Sequence, residues 1–270
     1  MRGVSRTSLA EVEERFNLAA GSAAEFGSLA EDLFAIADLF DREHGLRRTL
    51  SDATRPAQQK SQVVRVLLEG KVSPAALETA AAAVEAKWSR ARDLPDALER
   101  FGVIAAVAEA EGQGRLDDLD DELFRFGRIV QANPELHWAL SDTSIPGDRK
   151  RALLEELLSG RVTPATLRLI AQLAVHPRGR SLEKGLEEFG RLVAQQRQKL
   201  VAVVRTAVPL SDAQRERLTA WLRATYGRDI HLNTEVDPKV LGGFSVRVGD
   251  EIIDTTIVGR IEEVRRRLAG

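Results

Sequence analysis

Large apolar residues recur at helical spacing through the first 200 residues of the chain. Two segments show the spacing most clearly: Leu29, Leu33, Ile36 and Phe40, and then Leu119, Leu123, Phe126 and Val130. Steps of three and four residues place such groups on one stripe of a helix. The pattern predicts helices over 8–20, 28–43, 45–51, 57–69, 74–91, 94–111, 117–132, 135–141, 147–158, 164–175 and 181–198.

Capping residues support these helices. Capping boxes are predicted at Ser8 with Glu11 and at Ser28 with Glu31. Ser73-Pro74 and Thr163-Pro164 each place a cap before a proline in the first turn, where the missing N–H costs nothing. Gly70 and Gly160 are typical helix stops.

The pattern changes near Leu200. Leu200–Val204, Ile230–Thr234 and Phe244–Val248 are short and rich in β-branched or alternating apolar residues, which predicts strands. Ser211 with Gln214 is a further capping box and opens a helix that reaches Gly227. Gly249-Asp250 predicts a tight turn into a strand at Ile252-Ile253, and a final helix is expected through Ile257, Ile261, Val264 and Leu268. The segment predicts a βαββα-like domain.

The helical part contains one module written twice at an offset of 90 residues. The matching segments are Asp32-Leu33-Phe34 and Glu122-Leu123-Phe124, Leu50-Ser51-Asp52 and Leu140-Ser141-Asp142, and Leu67–Ala75 and Leu157–Ala165. Helix 94–111 resembles both the last helix of one module and the first helix of the next, since Glu99-Arg100-Phe101-Gly102 is echoed by Glu188-Phe189-Gly190 and by Glu14-Arg15-Phe16.

The predicted fold class is therefore mainly α with a small α+β C-terminal domain. Two tandem helical bundles, which are joined through or share one helix, precede the βαββα-like domain. The predicted domains are 1–93 for the first repeat copy, 94–199 for the second copy as a six-helix bundle, and 200–270 for the C-terminal domain. A duplicated helical module extends a scaffold or doubles a binding surface, and this favours an interaction protein.

Composition narrows the function classes. The net charge of −2 gives no reason to expect a nucleic-acid partner, which would need a clustered basic surface. The absence of cysteine excludes disulfides, thiolate metal sites and a thiol nucleophile. The sequence has no run of apolar residues long enough to span a bilayer, so any membrane association is expected to come through partners.

Candidate chemistry is sparse, and no catalytic, cofactor-binding or metal site is predicted. His44, His137, His176 and His231 have no ligand-like spacing. The acidic run 117–122 complements a helix N-terminus and lacks the pattern of a calcium loop. Gly242-Gly243 precedes a strand, so it predicts a close backbone approach and no phosphate loop.

Several positions remain candidates for contact with partners. The alanine run 80–83 is typical of a good helix former, or of a helix that a partner helix can approach closely. Arg265-Arg266-Arg267 either complements a helix C-terminus or docks an acidic partner. Trp138 is expected to be packed. The predicted partner-binding residues are Leu98, Phe101, Leu167, Ile170, Arg265 and Arg266.

The segment 230–261 resembles the C-terminal signature of the delta subunits of bacterial F-type ATP synthases, relatives of the mitochondrial oligomycin-sensitivity-conferring protein. The residues that carry the resemblance are Asp237, Gly242, Gly243, Arg247, Gly249, Asp250, Asp254, Gly259 and Arg260. Upstream, 94–198 resembles the family's six-helix domain, with anchors at 133–136 and 140–142. Thr255 departs from the family's usual glycine, and 1–93 is an addition of the kind found in long actinobacterial-type members.

The resemblance implies a non-catalytic stator subunit without a cofactor, at the cytoplasmic face of the cell membrane. It implies that the six-helix domain receives N-terminal helices of alpha subunits and that the C-terminal domain meets the b-type peripheral stalk, so that the head resists rotor torque during ATP synthesis. We hypothesise that the first copy is a second socket for the same head, with a spacer as the alternative.

Two other readings stay open from the residues themselves. One is a helical-repeat adaptor with an αβ appendage, although a 90-residue period exceeds that of common solenoids. The other is an enzyme whose site is assembled from dispersed carboxylates.

Overall fold

The computed structural model describes residues 3–20, 26–199, 201–208, 210–226, 230–237, 243–248 and 251–254. Contacts divide the chain into two compact units, Met1–Ala194 and Gln195–Gly270. The first unit is helical and the second carries the sheet. The fold class is therefore mainly α with a small α+β part, as the sequence predicts.

The helical part follows the repeat. The first copy comprises α1 (Val4–Ala20), α2 (Phe26–Arg42), α3 (His44–Ser51), α4 (Ala57–Leu68) and α5 (Pro74–Glu85). Helix α6 (Asp93–Gly112) follows, and the second copy continues with α7 (Leu116–Ala132), α8 (Pro134–Ser141), α9 (Gly147–Leu158), α10 (Pro164–Val175) and α11 (Leu182–Lys199). Each helix predicted in this part is present.

Two predicted helix boundaries and the predicted caps at Ser8 and Ser28 are wrong. Helix α1 begins at Val4, so Ser8 lies inside it and is no cap; its hydroxyl donates to the Lys87 carbonyl at 2.6 Å. Helix α5 ends at Glu85 instead of 91, because the chain turns to bury Trp88, whose indole N–H donates to Ala83 O at 2.7 Å. Ser28 likewise lies within α2, which is described from Phe26.

The predicted caps of α5 and α10 are confirmed. The Ser73 hydroxyl accepts from Ala76 N at 3.4 Å and the Thr163 hydroxyl accepts from Thr166 N at 3.1 Å. Each cap is reinforced by a carboxylate from the second helix of the same copy. Asp32 accepts from Ser73 N at 2.7 Å, and Glu122 accepts from Thr163 N at 2.8 Å. The repeat therefore preserves a tertiary contact as well as local signals.

The two copies share one hydrophobic core. A single cluster of buried side chains runs from Val12 in α1 to Val193 in α11. Helix α6 lies at its centre and contacts α1, α2 and α5 of the first copy and α7 and α10 of the second. The alanine run 80–83 is buried, with α1 packed against α5, so the close approach that it allows is made within the chain. The helical copies are thus parts of one compact unit.

The second unit is a four-stranded sheet with one described helix. Its elements are β1 (Val201–Thr206), α12 (Asp212–Tyr226), β2 (His231–Val236), β3 (Phe244–Val248) and β4 (Glu251–Asp254). The strand order is β2-β1-β3-β4, with β1 and β2 parallel and the other pairs antiparallel. Parallel strands need a long crossover, which contains α12. The predicted turn at 249–250 and the predicted final helix lie outside the described residues.

Among the residues that the structure describes in this unit, Val204, Leu218, Leu222, Ile230 and Val246 form the buried core. The capping box that opens α12 is confirmed, since Ser211 N donates to Gln214 Oε1 at 2.9 Å and Gln214 N donates to Ser211 Oγ at 3.3 Å.

Candidate partner-binding surfaces

A groove lies where the first copy meets the second, and we call it the inter-copy groove. It encloses about 620 Å³. Its walls are helices α2, α9 and α10, and its lining includes Phe34, Asp38, Leu39, Arg151, Leu167, Arg168, Ala171, Gln172 and His176. Apolar groups alternate with charged ones along it, as in surfaces that receive an amphipathic helix.

Arg168 of α10 ties the groove to the helices around it. Its guanidinium pairs with Glu31 of α2 at 3.0 Å and also with Glu109 of α6. One side chain thus connects three helices from both copies. A guanidinium that donates to carboxylates on two sides is held in one geometry, so this wall of the groove is preorganised.

The floor of the groove holds a buried carboxyl group beside an imidazole. Asp38 accepts from Gln172 Nε2 at 3.1 Å and lies 3.1 Å from His176 Nε2. Burial raises the pKa of Asp38 to about 7, with Gln172 opposing the shift. Burial also lowers the pKa of His176, and the nearby Arg151 adds to this effect. Burial therefore favours the neutral form of both groups, the carboxylic acid and the imidazole.

A buried ionic cluster lies behind the groove. Arg178, 3% exposed, sits with φ of 54° and its guanidinium lies 3.8 Å from Asp41 and 3.7 Å from Glu99. Arg180 pairs with Glu99 at 2.6 Å. Burial raises the pKa of Glu99 against the opposing effect of both arginines. The cluster joins α2 and α6 to the segment between α10 and α11, so it holds the two copies in register.

The predicted partner-binding residues separate by burial. Leu98, Phe101 and Ile170 are fully buried in the core of the helical unit, where they hold helices of this chain together. Leu167 is half-buried and lines the inter-copy groove. Arg265 and Arg266 lie outside the described residues. Of the six, Leu167 is the residue that the structure describes at a surface.

Some of the family-signature residues lie in the part of the chain that the structure describes, and their surroundings are as follows. Asp237 N donates to Thr206 O at 2.8 Å and so extends the pairing of β1 with β2. Gly243 has φ of 82° directly before β3, a conformation that favours glycine. Arg247 is exposed on β3, and Asp254 ends β4 opposite Ser245. Gly242, Gly249, Asp250, Thr255, Gly259 and Arg260 lie outside the described residues.

Sequence reasoning missed the polar residues that build the inter-copy groove. Arg168 and Gln172 interrupt the apolar helix α10 at positions where the first copy has Glu78 and Ala82, and that difference between copies was the available signal. The prediction for Trp138 was wrong, since its side chain is 62% exposed. A lone tryptophan in a short helix gives no periodicity from which to infer a buried face.

Metal and membrane signals are lacking in the described part of the chain. No group of three or more His, Cys, Asp or Glu side chains there could hold a metal ion. His137 instead pairs with Glu183 at 2.6 Å. None of the helices described is both long enough and apolar enough to cross a bilayer.

Comparison with known proteins identifies the family. Residues 103–268 match the family model for the ATP synthase delta (OSCP) subunit. The chain is 53% identical over 270 residues to the ATP synthase subunit delta of Thermobifida fusca, covering all of both chains. It is 47% identical over 270 residues to that of Streptomyces coelicolor, covering 100% of this chain and 98% of the relative. The chain belongs to the ATP synthase delta (OSCP) subunit family.

The relatives align with this chain over its full length, including the first copy of the repeat, which lies before the residues matched by the family model. A subunit delta from Acidothermus cellulolyticus, for example, is 44% identical over 274 residues and is matched over its whole length. One chain in a solved structure of the mitochondrial ATP synthase hexamer of Toxoplasma gondii matches 62% of this chain and 95% of its own length, at 17% identity and a TM-score of 0.32. A likeness of that extent adds nothing on the arrangement of the helices.

Proposed function

We propose that this chain is a non-catalytic subunit of the peripheral stalk of a proton-translocating F-type ATP synthase. Membership of the delta (OSCP) family is the observation that carries the proposal. It also removes the reading as an unrelated helical-repeat adaptor. The chain acts at the cytoplasmic face of the cell membrane, where it connects the alpha/beta head to the b-type stalk and so prevents the head from turning with the rotor.

The proposed contact with the head is the inter-copy groove. Leu167 and Ala171 offer apolar surface there, and the preorganised Arg168 and the polar Gln172 flank it. An N-terminal helix of an alpha subunit would lay its apolar face along α10. The C-terminal unit would contact the b-type stalk, with Arg265 and Arg266 as proposed contacts. Several linked weak contacts hold a stator better than one, because each later contact forms at high effective concentration.

The proposal is tested by purification of the synthase from native membranes under mild conditions. We expect this chain to co-purify with the head and the stalk, and membranes depleted of it to lose proton-driven ATP synthesis while the head retains ATP hydrolysis. A synthase that is purified without this chain and keeps full coupling would overturn the proposal.

The first copy is proposed to be a second socket for an alpha-subunit helix. Leu77 of α5 is the counterpart of Leu167 at the offset of 90 residues, and both side chains are half-buried. Because one core runs through both copies, the full chain is the suitable material and isolated copies are not.

Titration of the full chain with the alpha N-terminal peptide, followed by calorimetry, gives the number of sockets. We expect two peptides per chain, and one each for Leu77→Asp and Leu167→Asp, since a buried charge at the contact opposes docking. Far-ultraviolet circular dichroism checks that both variants are folded. Binding of one peptide to the unmodified chain would leave the first copy as a spacer.

A further inference from the structure

The inter-copy groove is long enough for about three turns of a helix. On α2 its lining runs from Glu31 to Arg42, a step of 42 − 31 = 11 residues. At 1.5 Å per residue this is about 17 Å. On the other side the lining runs along α10 from Pro164 to His176, the residue that follows the helix. A bound helix would therefore touch both copies over its whole length in the groove.

Helices α2 and α10 run in the same direction along the groove. Arg168 pairs with Glu31 at 3.0 Å, and Gln172 donates to Asp38 at 3.1 Å further along both helices. The C-terminal ends of the two helices consequently meet at one end of the groove. We call it the Arg42 end, after the last residue of α2.

Two guanidinium groups stand at the Arg42 end with little negative charge to balance them. Arg151 is exposed on α9 and takes part in no ion pair of the described residues. Arg42 lies 3.7 Å from Glu43, and with side chains 75% and 56% exposed this is a loose surface contact. Burial lowers the pKa of His176, and the charges of Arg151 and Arg42 add to this effect, so both act on one imidazole.

The carboxylates that line the groove do not neutralise these arginines. Glu31 is paired with Arg168 at the opposite end. Asp38 is buried, and because burial raises its pKa to about 7 it carries only part of a negative charge near neutral pH. Glu155 lies one turn beyond Arg151 on α9, and no ion pair joins the two. The Arg42 end therefore carries an excess of positive charge.

The first copy does not repeat this arrangement. At the offset of 90 residues the counterparts of Arg151 and His176 are Ser61 and Ala86. The surface at Leu77 therefore lacks the counterpart of the exposed arginine. A requirement for charge would distinguish the inter-copy groove from the site proposed at Leu77.

We propose that the helix in the inter-copy groove presents an acidic side chain to Arg151 and Arg42, beside His176. This inference rests on the proposed function, in which the bound helix is the N-terminal helix of an alpha subunit. Its apolar face lies on Leu39 and Leu167, and its carboxylate reaches the two guanidinium groups. The pair fixes the position of the helix along the groove and disfavours a helix with a basic residue at that point.

The first test measures binding of a labelled alpha N-terminal peptide to the full chain carrying Leu77→Asp, which leaves the inter-copy groove as the available site. We expect Arg151→Glu and Arg42→Glu each to weaken binding by about tenfold, because repulsion replaces attraction, and the effect to shrink as salt is raised. Arg149→Glu is the matched control, at an exposed arginine of α9 that does not line the groove. It should bind within about twofold of its parent. Fluorescence anisotropy gives the affinities, and circular dichroism checks that each variant is folded.

A second test finds the residue of the peptide that makes the contact. Each carboxylate of the peptide is replaced in turn by the corresponding amide. One replacement should weaken binding to the parent chain and have no such effect on the Arg151→Glu chain, since residues in contact are not additive. Lysine at the same peptide position should strengthen binding to the Arg151→Glu chain.

The outcomes separate this inference from the proposed function. Equal binding by the chains with Arg151→Glu, Arg42→Glu and Arg149→Glu would overturn the inference and leave the groove as an apolar socket. An equal loss in all three would indicate a general attraction between charges, which contradicts the proposed pair. A peptide that does not bind even the unmodified full chain would refute the proposed contact with the head, and this inference with it.

Discussion

Asp38 in the inter-copy groove is a carboxyl group that folding brings to a site poor in water. Because burial raises its pKa from 3.8 to about 7, the folded chain binds a proton that the unfolded chain releases between these two pH values. The stability that this group contributes is therefore fully present below about pH 3.8 and is lost as the pH rises through about 7.

Replacement of Asp38 by asparagine removes the charge and keeps a group that can hydrogen-bond to Gln172. We expect Asp38→Asn to raise the free energy of unfolding more at pH 8 than at pH 5, by on the order of 1–2 kcal/mol, because at pH 5 only part of the range between the two pKa values has been crossed. Urea denaturation at both pH values measures the difference. Asp148→Asn, at an exposed aspartate, is the control and should be close to neutral at both. An equal effect of Asp38→Asn at pH 5 and pH 8 would contradict the buried-carboxyl account.

The burial of individual residues explains why some predicted partner-binding residues lie in the core and one lies at a groove. Leu98, Phe101 and Ile170 have the periodicity of an apolar face, and that face is turned to the core of this chain. Apolar periodicity predicts that one face of a helix is buried, but it does not predict whether another helix of the same chain or a partner protein buries it. Leu167 lies at the edge of the same packed region and therefore reaches the groove.

Among the elements, α2 and α6 make the most extensive helix contact in the unit. Their close approach depends on Gly102, which faces the Phe34 ring across the interface. The corresponding pair in the second copy, α7 and α11, leaves a groove of about 430 Å³ between its helices. The related segments around Gly102 and Gly190 therefore pack in two ways, tightly at Gly102 and openly at Gly190. The two glycines can be compared directly by substitution.

Gly102→Ala and Gly190→Ala form a matched pair within helices. Alanine improves helix propensity by about 1 kcal/mol in each case. At Gly102 the added methyl group meets Phe34 at 2.6 Å, so overpacking of about 1–3 kcal/mol outweighs that gain and the protein is destabilised. At Gly190 the space is open and the protein should gain about 0.5–1 kcal/mol. Thermal and urea unfolding measure both, and a stabilising Gly102→Ala would show that the α2–α6 contact is looser than described.

At the scale of the whole molecule, the shared core predicts that the two helical copies unfold together. Leu33 and Leu123 are counterparts in the two copies, and both are buried. Leu33→Ala and Leu123→Ala should each cost about 2–5 kcal/mol. Because α6 belongs to the packing of both copies, either variant should lower the exchange protection of slow amides in α2 and in α10 alike.

Native-state hydrogen exchange with mass spectrometry measures this coupling. The C-terminal unit, Gln195–Gly270, has its own core and provides the internal control, since its protected amides should respond little to either variant. Loss of protection confined to the copy that carries the substitution would mean that the copies fold as separate bundles, and the shared core would then contribute little to stability.

The existence and type of nearly every described element follow from the sequence alone. Apolar spacing identified the helices, Ser73-Pro74 and Thr163-Pro164 identified two helix starts, and Gly70 and Gly160, with φ of 71° and 72°, identified two stops. These signals work because they depend on the residue and its immediate neighbours. The predicted capping signal at Ser8 was wrong because of a contact distant in sequence. The Ser8 hydroxyl donates to the Lys87 carbonyl and does not cap its own helix.

The sequence also determined the repeat and the family, because both are properties of residue order. Only the tertiary structure decided which face is covered: Phe34 packs against Gly102 of α6 in the first copy, and the counterpart Phe124 is exposed in the second. The two phenylalanines sit in the same local pattern, so no local rule distinguishes them. Burial is a property of the assembled helices, and among the described residues Gly102 packs against Phe34 whereas the space at Gly190 is open.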